Sequence, residues 1–238
     1  MESSALVYIV LTVVTILLAL FVRNETYVPR TIRGGRLYGE MPGCDRQRAR
    51  NRVAEFAVFC LLTGVSACRI AVGNDYWVYK QNFSLISQER HVSSEIGFNA
   101  IVSFFQLLFE EGKAQYLSIF AFFSVTTVFF FVKALCDQGS DFAFSLFLLL
   151  TGGYYFNSLN SVRYYFALAL SLYAMKYVLR KEYGKFILCI LPGALIHKSI
   201  LLVIPVYLIA HCLAKAKLKR WHYIVGGAFL CSLIFCQN

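Results

Sequence analysis

Four side chains with reactive or anion-binding chemistry interrupt otherwise apolar sequence: Asp75 in VGNDYWVY, Glu95 in SSEIGF, Arg163 in NSVRYYF and His197 in ALIHKSI. A charge within apolar sequence costs roughly 2.5 kcal/mol or more on insertion scales, so one that persists has a partner or a function. The Asp75 carboxylate can take the proton of a hydroxyl, as a sugar acceptor requires when it attacks in glycosyl transfer. It can equally be a helix N-cap amid belt aromatics. If the segment after it is helical, Asp75, Tyr79 and Phe83 share one face, with Tyr76 and Lys80 beside it.

Arg163 follows the polar turn of residues 157–161, which contains Asn160, and precedes an uncharged stretch. Its guanidinium is a permanent cation with a planar fork of donors, suited to phosphate or pyrophosphate. A snorkelling role, or an ion pair with Glu95 or Asp75, is open to it as well. His197 and the adjacent Lys198 can contact an anion, serve as acid or base, or cap a helix end. Glu95 follows Ser93 and Ser94, the pattern of a capped helix start with an acid in its first turn. The candidate ligands lack a compact metal spacing such as HExxH, and no glycine-rich phosphate loop occurs, so neither metal nor cofactor is expected. The eight cysteines contain no CxxC pair and fall mostly within apolar runs, as packing residues do.

The elements that must position these groups are membrane helices. Apolar residues make up 58% of the 238 and charged ones 15%, with a mean hydropathy of +0.60. That balance excludes a soluble enzyme, a disordered chain and a secreted disulfide scaffold. Runs without Asp, Glu, Lys or Arg cover residues 3–22, 114–132, 142–162 and 221–238. Each approaches the ~20 helical residues that cross a bilayer, and none alternates as a barrel strand would. The reading is an all-α polytopic protein of about seven hydrophobic segments: residues 4–22, 53–72, 116–135, 142–156, 160–179, a split segment 186–214, and 221–235.

The net charge of +10 sits mainly in short loops, where it signals topology and not nucleic-acid binding. Residues 23–52 hold eight arginines against three acids, with Pro and Gly breaking regular structure, and form a basic cytoplasmic loop; the N-terminus is then extracytoplasmic. Residues 73–115 form an extracytoplasmic loop, in which residues 96–109 are too short to span and lie as an interfacial helix. Parity then puts the basic loop 180–185 inside. Basic loops also bound the segment 186–214, which is interrupted by Pro192, His197, Lys198 and Pro205; it reads as a broken or re-entrant pair meeting near His197. On this plan the chain is a single transmembrane domain, residues 1–238, with the unusual polar residues gathered towards its outer face.

The pieces VGNDYWVYKQNF, SSEIGFNAIVSFF, NSLNSVRYYFALALSLYAM and KFILCILPGALIHKSILLVIPVYLI, spanning about residues 69–208, resemble successive signatures of the EpsG family of Wzy-like bacterial exopolysaccharide polymerases. In that pattern an Asp-Tyr follows helix 2, a Glu opens the next amphipathic segment, an Asn-x-x-Arg enters a later helix, and a His-Ser-like pair follows a short apolar run. Asp75 and Tyr76, Glu95, Asn160 and Arg163, and His197 with Ser199 occupy those positions. Two departures are Tyr164, where members commonly carry Gln, and Lys198, which separates His197 from Ser199.

The resemblance implies a glycosyltransferase of capsule or exopolysaccharide synthesis in the bacterial inner membrane. It would join glycan repeats from undecaprenyl pyrophosphate to a sugar hydroxyl on the outer face. Asp75, Glu95 and His197 would be catalytic, and Tyr76, Tyr79, Asn160, Arg163 and Lys198 would contact substrate. The partners implied are the lipid-linked oligosaccharide, the bilayer and other polysaccharide export proteins. Members usually continue with further helices, so the chain corresponds to the N-terminal part of a longer one. The acid after an early helix, followed by an interfacial helix, is also similar at fold level to GT-C glycosyltransferases. The alternative is a transporter or a non-catalytic scaffold of an export system. A transporter would place its polar residues near mid-bilayer, often in two related halves, and no internal repeat occurs here.

Overall fold

The computed structural model describes residues 2–23, 31–33, 36–38, 42–70, 72–73, 75–88 and 94–215. Within them the chain is helical apart from a small antiparallel hairpin of β1 (Thr31–Arg33) and β2 (Arg36–Tyr38). The helices are α1 (Glu2–Ala19), α2 (Pro42–Ala67), α3 (Tyr76–Ser87), α4 (Ile96–Leu108), α5 (Lys113–Gln138), α6 (Phe142–Thr151), α7 (Tyr154–Asn157), α8 (Val162–Leu179), α9 (Tyr183–Ile196) and α10 (Val203–Lys215). A 3-10 turn, Lys198–Leu202, joins the last two.

The pair α5 and α8 is the spine, with a hydrophobic core on either side. One core collects Leu11 and Ala19 of α1, Val58 and Leu62 of α2, and Leu146 and Leu150 of α6 against Val128 and Phe131 of α5. The other is aromatic: Tyr79 and Phe83 of α3, Phe98 of α4 and Phe120 of α5 stand with ring centroids 5.6 to 6.5 Å apart. Phe166 of α8 and Phe186 and Ile190 of α9 complete it. The two spine helices run parallel. Phe123 meets Phe166 at one end, and at the other Asp137 of α5 accepts from Lys176 of α8 at 2.7 Å.

Several boundaries differ from the sequence reading. The second helix begins at Pro42, not near residue 53, so the last part of the arginine-rich stretch, with four of its eight arginines, is helical. Pro at the first helical position has no N–H to waste, and Asn51 ties the helix to the end of α1 by donating to Arg23 O at 2.7 Å and accepting from Arg23 N at 3.1 Å. The segment 142–156 divides at Gly152 and Gly153 into α6 and α7. Residues 73–115 are largely two helices, α3 and α4, packed on α5 and α9. The expected break in 186–214 falls at His197. Among the described residues one helix, α5, is long and apolar enough to cross a membrane, with shorter apolar helices around it. The segment 221–235 lies outside the described residues.

Candidate functional site

Asp75 and Glu95 occupy the N-cap positions of α3 and α4, yet neither side chain caps its helix. Each faces the start of α8 instead. Asp75 Oδ2 accepts from Ser161 Oγ at 2.8 Å, and Glu95 Oε2 accepts from Arg163 Nη1 at 2.5 Å. Of the readings open for Arg163, the ion pair with Glu95 is the one formed. The other Glu95 oxygen lies 3.7 Å from His197 Nδ1, beyond hydrogen-bond reach. His197 Nε2 is 3.1 Å from Ser199 Oγ, and Tyr164 meets the imidazole edge-on at 5.8 Å. His197 Nδ1 is buried and has no hydrogen-bond partner among the described residues.

Two close backbone approaches build this arrangement. Gly73 has φ +92°, and a Cβ there would lie 2.6 Å from Asn160 Oδ1 and 2.7 Å from the Leu159 carbonyl. Arg69 Nη1 donates to the Ser158 carbonyl at 3.3 Å. Arg69, Gly73 and Asp75 therefore lie against the turn 158–161, and Asp75 is delivered to Ser161. At Gly97 a Cβ would meet the Leu195 carbonyl at 2.7 Å, so the start of α4 presses on the end of α9. That contact sets Glu95 beside His197.

The structure thus brings Glu95, Arg163 and His197 into one cluster, with Asp75 joined to the same helix end through Ser161. Tyr76 and Tyr79 are buried: Tyr76 stacks on Phe120 at 5.2 Å, and Tyr79 lies 5.9 Å below the Arg163 guanidinium. Phe98 faces the same guanidinium at 5.1 Å, so the cation lies against two rings and pairs with Glu95. Asn160 packs on Gly73, and Lys198 is exposed on the 3-10 turn. Sequence reasoning passed over two participants. Arg69 is 5% exposed, with its guanidinium 4.8 Å over Phe120, and its Nε lacks a partner among the described residues. A lone arginine at the end of an apolar run was its signal. Ser161 had none, since only the fold sets it against Asp75. No cluster of three or more His, Cys, Asp or Glu side chains suited to a metal occurs among the described residues.

Residues 53–237 match the EpsG family. The chain belongs to the EpsG family. Asp75, Glu95, Arg163 and His197 all lie in the matched stretch, whereas α1 and the β-hairpin precede it. Membership carries a general role in polysaccharide polymerisation. No curated protein and no solved structure matches the chain.

Proposed function

We propose that this protein is a membrane-embedded polymerase that transfers glycan repeats from undecaprenyl pyrophosphate to a sugar hydroxyl at the outer face of the bacterial inner membrane. The observation that carries the reading is the convergence of two N-cap carboxylates on the start of α8 without capping their own helices. The Asp75 cap that is given up costs about 1 kcal/mol, and Glu95 is likewise turned to α8, which supports another purpose for both carboxylates. Membrane embedding is supported by family membership and by large apolar side chains exposed around the fold, among them Leu6, Phe56, Leu107, Leu148, Leu188 and Ile209.

In the proposed step the acceptor hydroxyl oxygen attacks the anomeric carbon of the donor repeat. The new glycosidic bond forms as the bond from that carbon to the pyrophosphate oxygen breaks. The hydroxyl proton passes to Asp75, and the bonding pair leaves on undecaprenyl pyrophosphate. Arg163 binds the pyrophosphate: a guanidinium carries five N–H donors, and the Nη1 contact to Glu95 leaves others free to turn to an anion. Glu95 holds that guanidinium in place, Tyr79 and Phe98 back it, and Asn160 fixes the turn. His197, beside Glu95 in the same cluster, adds a phosphate or sugar contact, with Lys198 next to it raising the local positive potential.

The test is a gel of glycan chain lengths with extracted lipid-linked repeats, from cells expressing wild type, Asp75→Asn or Arg163→Ala at equal level. Chain growth should stop in both variants while single lipid-linked repeats accumulate on the outer face. Normal long chains from both would end this mechanism, and repeats trapped on the inner face would point to transport.

A further inference from the structure

Beside the proposed transfer site lies an open cleft of about 390 Å³, lined by Trp77, Lys80, Gln81, Ser84, Glu111 and Tyr116. A neighbouring hollow of about 470 Å³ shares Trp77, Lys80, Glu111 and Tyr116 and extends to Tyr76. Both volumes fall in the range of small-molecule sites, roughly 300–1,000 Å³. The cleft follows from the spacing on α3. Tyr76, Tyr79 and Phe83 face the aromatic core, so Trp77, Lys80, Gln81 and Ser84 form a second stripe along the helix. The opposite wall is Glu111 and the first turn of α5, where Tyr116 donates to Glu111 Oε1 at 3.2 Å. Trp77 is 61% exposed, and the Lys80 ammonium stands 5.5 Å from its ring and 5.3 Å from that of Tyr116.

We infer that this cleft holds the terminal sugars of the acceptor glycan as an acceptor subsite. The composition suits a saccharide: a pyranose packs its C–H face on an electron-rich ring, while its rim of hydroxyls takes hydrogen bonds from ammonium, amide, hydroxyl and carboxylate groups. The position suits an acceptor, because Trp77 lies on the first turn of the helix that starts immediately after Asp75, and Tyr76 borders the hollow. An acceptor glycan lying along α3 would present its terminal hydroxyl towards the Asp75 carboxylate. The inference rests on the polymerase reading and adds to it the place where the acceptor is held.

The experiment separates the two. Trp77 and Trp221 are the two tryptophans of the chain, so Trp221→Phe leaves Trp77 as the sole indole. Purified full-length protein in this background is mixed with short oligosaccharides cut from the producing cell's own polymer, and emission is followed. A saturable change, weakened about 10-fold by Glu111→Gln, is expected. In cells, Trp77→Leu should give short oligomers where Trp77→Phe, which keeps an aromatic face, gives nearly normal chains; Asp75→Asn should stop even the first linkage. Unchanged emission together with wild-type chain lengths from Trp77→Leu would overturn the subsite while leaving Asp75 untouched. If Asp75→Asn and Arg163→Ala polymerise normally but the oligosaccharides still bind, the glycan site stands and the polymerase mechanism falls. Equal loss of chain length in Trp77→Phe and Trp77→Leu without loss of oligosaccharide binding also overturns the subsite, because the ring face would then not be what the chain reads.

Discussion

The carboxylate of Glu95, at the N-cap of α4, lies 2.5 Å from the guanidinium of Arg163 on the first turn of α8, 68 residues further along the chain. Both side chains are largely covered, 17% and 24% exposed, with rings beneath the arginine. The pair therefore fixes a cation at the mouth of α8 and joins the helices on which the site depends.

A double-mutant cycle checks that coupling. Glu95→Gln and Arg163→Gln should each lower the thermal midpoint of the detergent-purified protein, and the double variant should lose less than the two together. A coupling of about 1–2 kcal/mol is expected for contacting charges of this burial. Strict additivity would show that the contact holds nothing.

Charge and shape can be parted at Arg163. Arg163→Lys keeps the cation and loses the fork, and Arg163→Ala loses both. Polymer yield should fall in the order wild type, Lys, Ala, with the Ala variant about 100-fold to 1,000-fold down, as for loss of an electrostatic contact to a reacting group. Equal yields from Lys and Ala would mean that charge alone is not what the site uses.

Gly73→Ala probes the backbone that delivers Asp75. A side chain there meets Asn160 and the Leu159 carbonyl, and it also sits at a positive φ. A cost of about 1–3 kcal/mol in stability is expected, together with loss of chain growth, because the backbone at Gly73 must lift off the turn and take Asp75 with it. A wild-type thermal midpoint would contradict the close approach.

At the far end of the spine, Lys176 is 8% exposed and donates to Asp137, which also accepts from Lys133 at 2.7 Å. Lys176→Met should destabilise by about 1–3 kcal/mol by leaving Asp137 short of a partner, and Asp137→Asn added to it should recover part of the loss. Chain lengths made by the surviving protein should be unchanged, since Arg163 and Lys176 are about 20 Å apart at 1.5 Å per residue. Shortened chains from Lys176→Met would show that this end belongs to the reaction.

Sidedness has its own test. Single cysteines at Gln88 and Lys181 in a cysteine-free background should be labelled from outside and from inside respectively, because the arginine-rich stretch and helix parity put α3 outside and the loop after α8 inside. Labelling of position 181 from outside would invert the plan and move the proposed site to the wrong face.

Much of this protein could be read without its fold. Long uncharged runs leave helix as the economical conformation, because each backbone group is satisfied within its own segment, and a charge stranded among them must answer to a partner. By that logic Asp75, Glu95, Arg163 and His197 are conspicuous in the chain, and the break at His197 follows from Pro192, the polar pair and Pro205. What the chain could not disclose is which partner each charge takes. Glu95 after two serines reads as a helix cap, and only the approach of α4 to α8 turns it to Arg163 instead. Ser161, Gly73 and Gly97 carry no local signal at all. Their meaning lies in contacts between segments distant in sequence, where a missing Cβ lets one backbone rest against another, and Arg69 acquires its burial in the same way. Periodicity and charge report what a segment is within a few turns of itself, whereas a site is a property of how segments meet.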